Sequence, residues 1–273
     1  MHPAPKTFEL LPGADASPVI LHVPHSARTI PAAVRDDILL EDGALARELD
    51  HITDAHTIEL AEAAAKAAGV TPWRFVNRMS RLVIDPERFP DEREEMLSVG
   101  MGAVYTQTTH RAPLRPAGFD PRPLIERYFH PYAQAMTDAV ADRLAVTGRA
   151  VVIDVHSYPT ARLPYELHGD GPRPPVCLGT DTFHTPPELL AQARAAFART
   201  GDAGIDSPFS GAYVPLDFYG KEPQVTALMV EIRRDTYMSE PGGPAGPGLG
   251  RLASALAALV DAVTARPGGG APS

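Results

Sequence analysis

Continuous apolar, β-branched runs alternate along this chain with segments whose apolar residues recur every three or four positions. The clearest run is Ala150-Val151-Val152-Ile153-Asp154-Val155-His156-Ser157, preceded by Gly148-Arg149 and followed by Pro159. An unbroken run of this length reads as a strand buried on both faces of a mainly parallel sheet. Residues 18–26 form a second strand of the same kind, interrupted by Pro24 because proline cannot donate to a ladder. Residues 70–76, 81–85, 176–179 and 225–232 supply the remaining predicted strands. Residues 41–68 read as one long helix with Leu45, Leu49, Ile52, Ile58 and Leu60 as its apolar members and Gly69 as its stop. Further helices are predicted over 121–146, 186–199 and 248–265, and a loop with a short helix over 27–40. Residues 91–120 show no period, and a stretch that long without regular structure is usually functional or mobile.

The order β-α-β-β-α-β-β-α-β-α implies a three-layer α/β domain. We read it as one domain over residues 1–266, with 267–273, Pro-Gly-Gly-Gly-Ala-Pro-Ser, a disordered tail. There is no internal repeat.

Composition narrows the function. A formal charge of −9 over 273 residues argues against nucleic acid as the main partner, because phosphate binding needs clustered lysine and arginine. An anionic small-molecule substrate would need specific arginines working against that field. Cys177 is the only cysteine, so an intrachain disulfide and a cysteine-based zinc cluster are both excluded. No apolar run approaches the roughly 18 residues of a membrane span, and Met1–Pro18 has no apolar signal core. A cytoplasmic protein without a membrane partner is the expectation. The oligomeric state has no signal.

The candidate chemistry gathers at strand ends, where open α/β sheets place their sites. His25 follows the first strand and His156 ends the central one, each followed by serine, with Asp154 on the same side of the strand as His156. On the predicted long helix, Asp50 and Asp54 share a face that Ile58 continues inward. An acidic pair on such a face is costly unless a cation meets it. Glu231 lies near the end of the last strand. Two imidazoles and one carboxylate are a common set for a catalytic zinc, with a fourth position for water or substrate. A free glutamate could then move the water's proton to a leaving nitrogen. Together they make an apparatus for amide hydrolysis.

The spacing is long-range, so plainer roles compete. Asp54 could be a solvated helix carboxylate, Glu231 the partner of Arg233, and His22 merely a strand residue. His56 could support a metal from behind or simply pack. Arg81, Arg88 and Arg78 cluster near two strand ends, and an arginine fork suits a substrate carboxylate. Asp85 could orient Arg88, while Arg78 reads as surface charge. Neither Ser26 nor Ser157 lies in a Gly-x-Ser-x-Gly elbow, and no phosphate-binding glycine loop occurs.

From residue 18 to 238 the chain resembles the N-formylglutamate amidohydrolase (N-formylglutamate deformylase) family of histidine catabolism. The resemblance rests on Val23-Pro24-His25-Ser26, Thr53-Asp54-Ala55-His56, Ser80-Arg81-Leu82-Val83-Ile84-Asp85 with Arg88, and Val155-His156-Ser157. Leu178-Gly179-Thr180, Gly211-Ala212-Tyr213, and Val230-Glu231-Ile232 followed by Tyr237-Met238 complete it. It implies a fold similar to zinc-dependent exopeptidases, with a mixed, mostly parallel sheet between helices and a single Zn2+. It also implies His25, Asp54 and His156 as metal ligands and Glu231 as general base, with Arg81, Arg88 and Tyr213 at the substrate. The choice of Asp54 over Asp50 rests on that motif. Asp85-Pro86-Glu87-Arg88 departs from the family's usual Asp-Leu-Asn-Arg, which opens the substrate to N-acyl amino acids other than N-formyl-L-glutamate. A zinc exopeptidase, or a non-catalytic small-molecule binding protein with a degenerate site, are the rival readings.

Overall fold

A computed structural model of the chain describes residues 6–168 and 170–265. Its strands are β1 (Phe8–Leu11), β2 (Val19–Val23), β3 (Trp73–Asn77), β4 (Ala150–Tyr158), β5 (Val176–Gly179), β6 (Ala203–Ile205) and β7 (Val225–Arg233). They form one sheet in the order β1-β3-β2-β4-β7-β5-β6. The four central strands run parallel, while β1 joins β3 and β5 joins β7 antiparallel. The helices are α1 (Ala32–Arg35), α2 (Asp42–Ile52), α3 (Thr57–Ala67), α4 (Arg122–Leu124), α5 (His130–Thr147), α6 (Pro187–Phe197) and α7 (Gly248–Thr264). A π-helical turn, Ile125–Phe129, links α4 to α5.

Strand parity assigns the faces. Val151, Ile153 and Val155 of β4, with Leu228, Val230 and Ile232 of β7, pack on one side against α3, α6 and α7. Ala150, Val152 and Ala227 point the other way, onto Tyr132, Met136 and Val140 of α5. The result is a three-layer α/β fold with a mixed, mostly parallel sheet. His22, Asp154, His156 and Glu231 share the parity of the α5 side, so the polar residues follow the apolar ones up that face toward its carboxyl end. None of the described helices is long and apolar enough to cross a membrane.

Two expectations, the long helix and the strand over 81–85, are corrected, and two short strands are added. Residues 41–68 are two helices: α2 stops at Ile52, and His56, in the left-handed region (φ 66°), opens α3. Thr53 is extended (ψ 135°), and Asp54 N–H donates to the carbonyl of His25 instead of continuing the helix. Residues 81–85 are buried turns and not a strand. The Asn77 and Ser80 side chains capture the N–H groups of Met79 and Leu82, and Val83 N–H bonds back to Ser80. β1 and β6, both short, carry no apolar run long enough to register in the pattern. The 91–120 stretch is packed: Met96, Val99, Met101, Tyr105 and Leu114 are buried with Leu45, Leu49 and Ile52 of α2. The 267–273 tail lies outside the described residues.

Candidate active site

At the carboxyl end of the parallel strands the α5 side of the sheet opens into a cleft of about 880 Å³. Pro24 ends β2 and turns His25 into this cleft. His156 comes from β4, with Glu231 opposite it in the β7 register. Asp54 comes from the α2–α3 break, tied to His25 by its backbone. The seven residues that the family resemblance puts at the site, His25, Asp54, His156 and Glu231 together with Arg81, Arg88 and Tyr213, all line this cleft.

Three of them converge. His25 Nδ1 and His156 Nδ1 are 3.2 Å apart. Asp54 Oδ2 is 3.1 Å from the His156 Nδ1 and 3.7 Å from that of His25. All three residues are buried. Behind the rings stand further carboxylates. His25 Nε2 lies 2.9 Å from Asp85 Oδ1, and His156 Nε2 lies 2.9 Å from Asp154 Oδ2 and 3.1 Å from Glu87 Oε2. An anion at Nε2 favours the tautomer with its proton there, leaving Nδ1 bare. In that tautomer two ring nitrogens and a carboxylate oxygen converge as electron-pair donors, a set that one shared cation would satisfy. The donor set therefore fits a divalent metal ion.

The surrounding charges are arranged accordingly. Arg234 donates to Asp54 Oδ1 (3.1 Å) and to Ser157 Oγ (3.2 Å). Burial opposes the Asp54 charge, but the two imidazoles set against it outweigh burial and hold its carboxyl far below the usual range. Glu231 has an oxygen without a hydrogen-bond partner. Burial, with the nearby Asp54 charge, pushes its carboxyl up to about 7 against the pull of His156, Arg81 and Arg234.

The two arginines differ. Arg81 is buried and committed, donating from Nε to Tyr105 Oη and from Nη2 to Asp85 Oδ2, both at 2.8 Å. Arg88 stands 3.7 Å from Asp85 and 3.6 Å from Glu94 without a hydrogen bond to either. Asp85 thus orients Arg81 more than Arg88. The Tyr213 ring lies 4.7 Å from that of His22. Asp50 is not part of the cleft: it pairs with Arg28 at 2.7 Å. His56 bonds the Gly243 carbonyl (3.0 Å) rather than a ligand, and Arg233 pairs with Asp235 (2.8 Å) rather than Glu231. Arg78 pairs with Glu9 (2.7 Å).

A model of the family described as N-formylglutamate amidohydrolase matches residues 17–238, which contain every residue of this cleft. The chain belongs to that family. Its fold is similar to a crystal structure titled N-formylglutamate amidohydrolase from Ralstonia eutropha JMP134. The TM-score is 0.79 at 22% identity, covering 94% of this chain and 97% of that one. A gene product of Agrobacterium tumefaciens is also similar, with TM-score 0.69 at 18% identity and 95% of both chains covered. No curated protein matches the chain.

In this member of the N-formylglutamate amidohydrolase family, residues to which the sequence pattern gives no role support the cleft. Glu87 stands behind both imidazoles, and Tyr105 and Arg234 hold the carboxylates of Asp85 and Asp54. Asp154 and Asp85 had a signal through strand parity and the motif, and Glu87 one as the acid in the departure from that motif. Glu87, Tyr105 and Arg234 lie in loops or in a short 3-10 turn, where no period marks an inward position.

Proposed function

We propose that this amidohydrolase is zinc-dependent and cleaves the amide bond of a small N-acylated acidic amino acid, N-formyl-L-glutamate first among them. The observation that carries the reading is the convergence of His25 Nδ1, His156 Nδ1 and Asp54 Oδ2 on one buried point beside Glu231. When bound there, a zinc ion would polarise an acyl carbonyl and lower the pKa of water. Glu231 removes a proton from that water and returns it to the leaving nitrogen, so that amide and water become formate and free amino acid. Asp85 and Asp154 hold the imidazoles in the tautomer that offers Nδ1. Arg234 fixes Asp54. Arg88, whose nitrogens make no hydrogen bond, takes a substrate carboxylate, and Tyr213 packs beside it. The substrate is thus an anionic small molecule.

The cleft wall also favours a broader acyl amino acid specificity, since Glu87 adds a negative charge and Arg81 is spent on Asp85 and Tyr105. The test pairs zinc analysis with hydrolysis of N-formyl-L-glutamate, on wild type and His156→Ala. Zinc bound in the wild type and reduced in the variant, with activity lost in parallel, supports the reading. A zinc-loaded wild type that cleaves other N-acyl amino acids but not this one moves the substrate and keeps the metal. Full activity in a metal-stripped protein overturns it.

A further inference from the structure

The cleft contains a second set of buried donor atoms on the far side of His156 from Asp54. His22 Nδ1 lies 2.9 Å from Asp154 Oδ1 and 3.4 Å from Glu87 Oε1, and all three atoms fall within 4.8 Å of one another. His22 and Asp154 are fully or almost fully buried, and Glu87 closes the group from the cleft wall. None of these three atoms has an aligned hydrogen-bond partner, and neither has His156 Nε2 beside them. A buried polar group without a partner costs free energy, and four in one place point to something that satisfies them together.

The other buried carboxylates nearby are treated differently. Asp54 has Arg234, and Asp85 has Arg81. Among the described residues, no arginine or lysine pairs with Asp154 or Glu87. Their only basic neighbours are His22, His25 and His156. Two carboxylates side by side repel, and an imidazole proton cannot satisfy both of them together with the unpartnered oxygens. His22 is held in position from its other nitrogen, Nε2, which lies 2.5 Å from Tyr132 Oη. A support behind the ring that leaves Nδ1 facing the carboxylates is the arrangement of a metal-binding histidine.

We propose that His22 Nδ1, Asp154 Oδ1 and Glu87 Oε1 form a second site for a divalent transition-metal ion. One imidazole and two carboxylates suit Mn2+ as well as Zn2+. Asp154 faces His156 through its other oxygen, so occupancy of this site would also fix the ring that serves the first. The proposal concerns different ligand atoms from the Proposed function, and each can fail alone.

The test is equilibrium dialysis of the full chain against Zn2+, and separately Mn2+, followed by metal analysis. The variants are Glu87→Gln, His22→Gln and His25→Ala, with circular dichroism to check folding. Two ions per wild-type chain are expected for at least one of the two metals, with one remaining in each variant, or the weaker affinity reduced at least about tenfold. Glu87→Gln lies on the cleft wall and preserves volume, so it keeps the test open if His22→Gln does not fold. One ion per wild-type chain, unchanged in Glu87→Gln and lost in His25→Ala, would overturn the second site and keep the first. One ion lost in Glu87→Gln and kept in His25→Ala would support the second site and sink the first. No bound ion overturns both.

Discussion

Glu231 faces His156 across the β4–β7 ladder, and burial raises its carboxyl to about 7. A general base must be unprotonated, so activity is lost as the pH falls through that value. A cation on the neighbouring ligands stabilises the ionised form and moves the value down. The acid limb of kcat/KM is therefore expected at or below about pH 7. An acid limb that persists unchanged in Glu231→Gln would remove Glu231 from that role. Glu231→Gln keeps the shape and deletes the proposed base, so turnover should drop by about 10²-fold or more with metal content unchanged. These effects belong to single residues because each follows from one group and its immediate charges. Their long-range spacing hid part of this network: His25 and His156 stand out beside their strands, whereas Glu87 and Arg234 sit in irregular segments.

Between elements, the layer of α3, α6 and α7 holds the sheet in place beneath the site. Leu256 of α7 is fully buried among β-strand and α3 side chains. Leu256→Ala is expected to cost about 2–5 kcal/mol in denaturant unfolding, since the cavity adds to the lost transfer energy. A change below about 1 kcal/mol would show that the layer repacks freely. The long apolar runs of β2, β4 and β7 and the helices α5, α6 and α7 were legible in the pattern, because burial on both faces or along one stripe leaves a period. The α2–α3 break was not. Its cause is a hydrogen bond from Asp54 to His25, 29 positions away in the sequence by their numbers, which no local window contains. Apolar content alone likewise could not separate the buried turns at residues 81–85 from a strand.

At the scale of the molecule, binding of the proposed ion would be linked to folding. A ligand that binds only the folded chain stabilises it by about 2.7 kcal/mol at a hundredfold excess over Kd. Removal of zinc by a chelator is thus expected to lower Tm by about 5–10 °C, reversibly on adding zinc back. An unchanged Tm would mean that the acidic and imidazole groups of the cleft are satisfied without a cation. The strands β2, β4, β5 and β7, the helices α5, α6 and α7, the acidic balance and the nature of the candidate groups followed from the sequence alone, because periodicity, composition and motif are properties of neighbouring residues. How Asp54 reaches the histidines, which arginine is spent on Asp85 and Tyr105, and which acids gather beside His22 without an arginine were decided only by the tertiary structure. Those outcomes depend on distances between atoms that the chain brings together from segments far apart in its order.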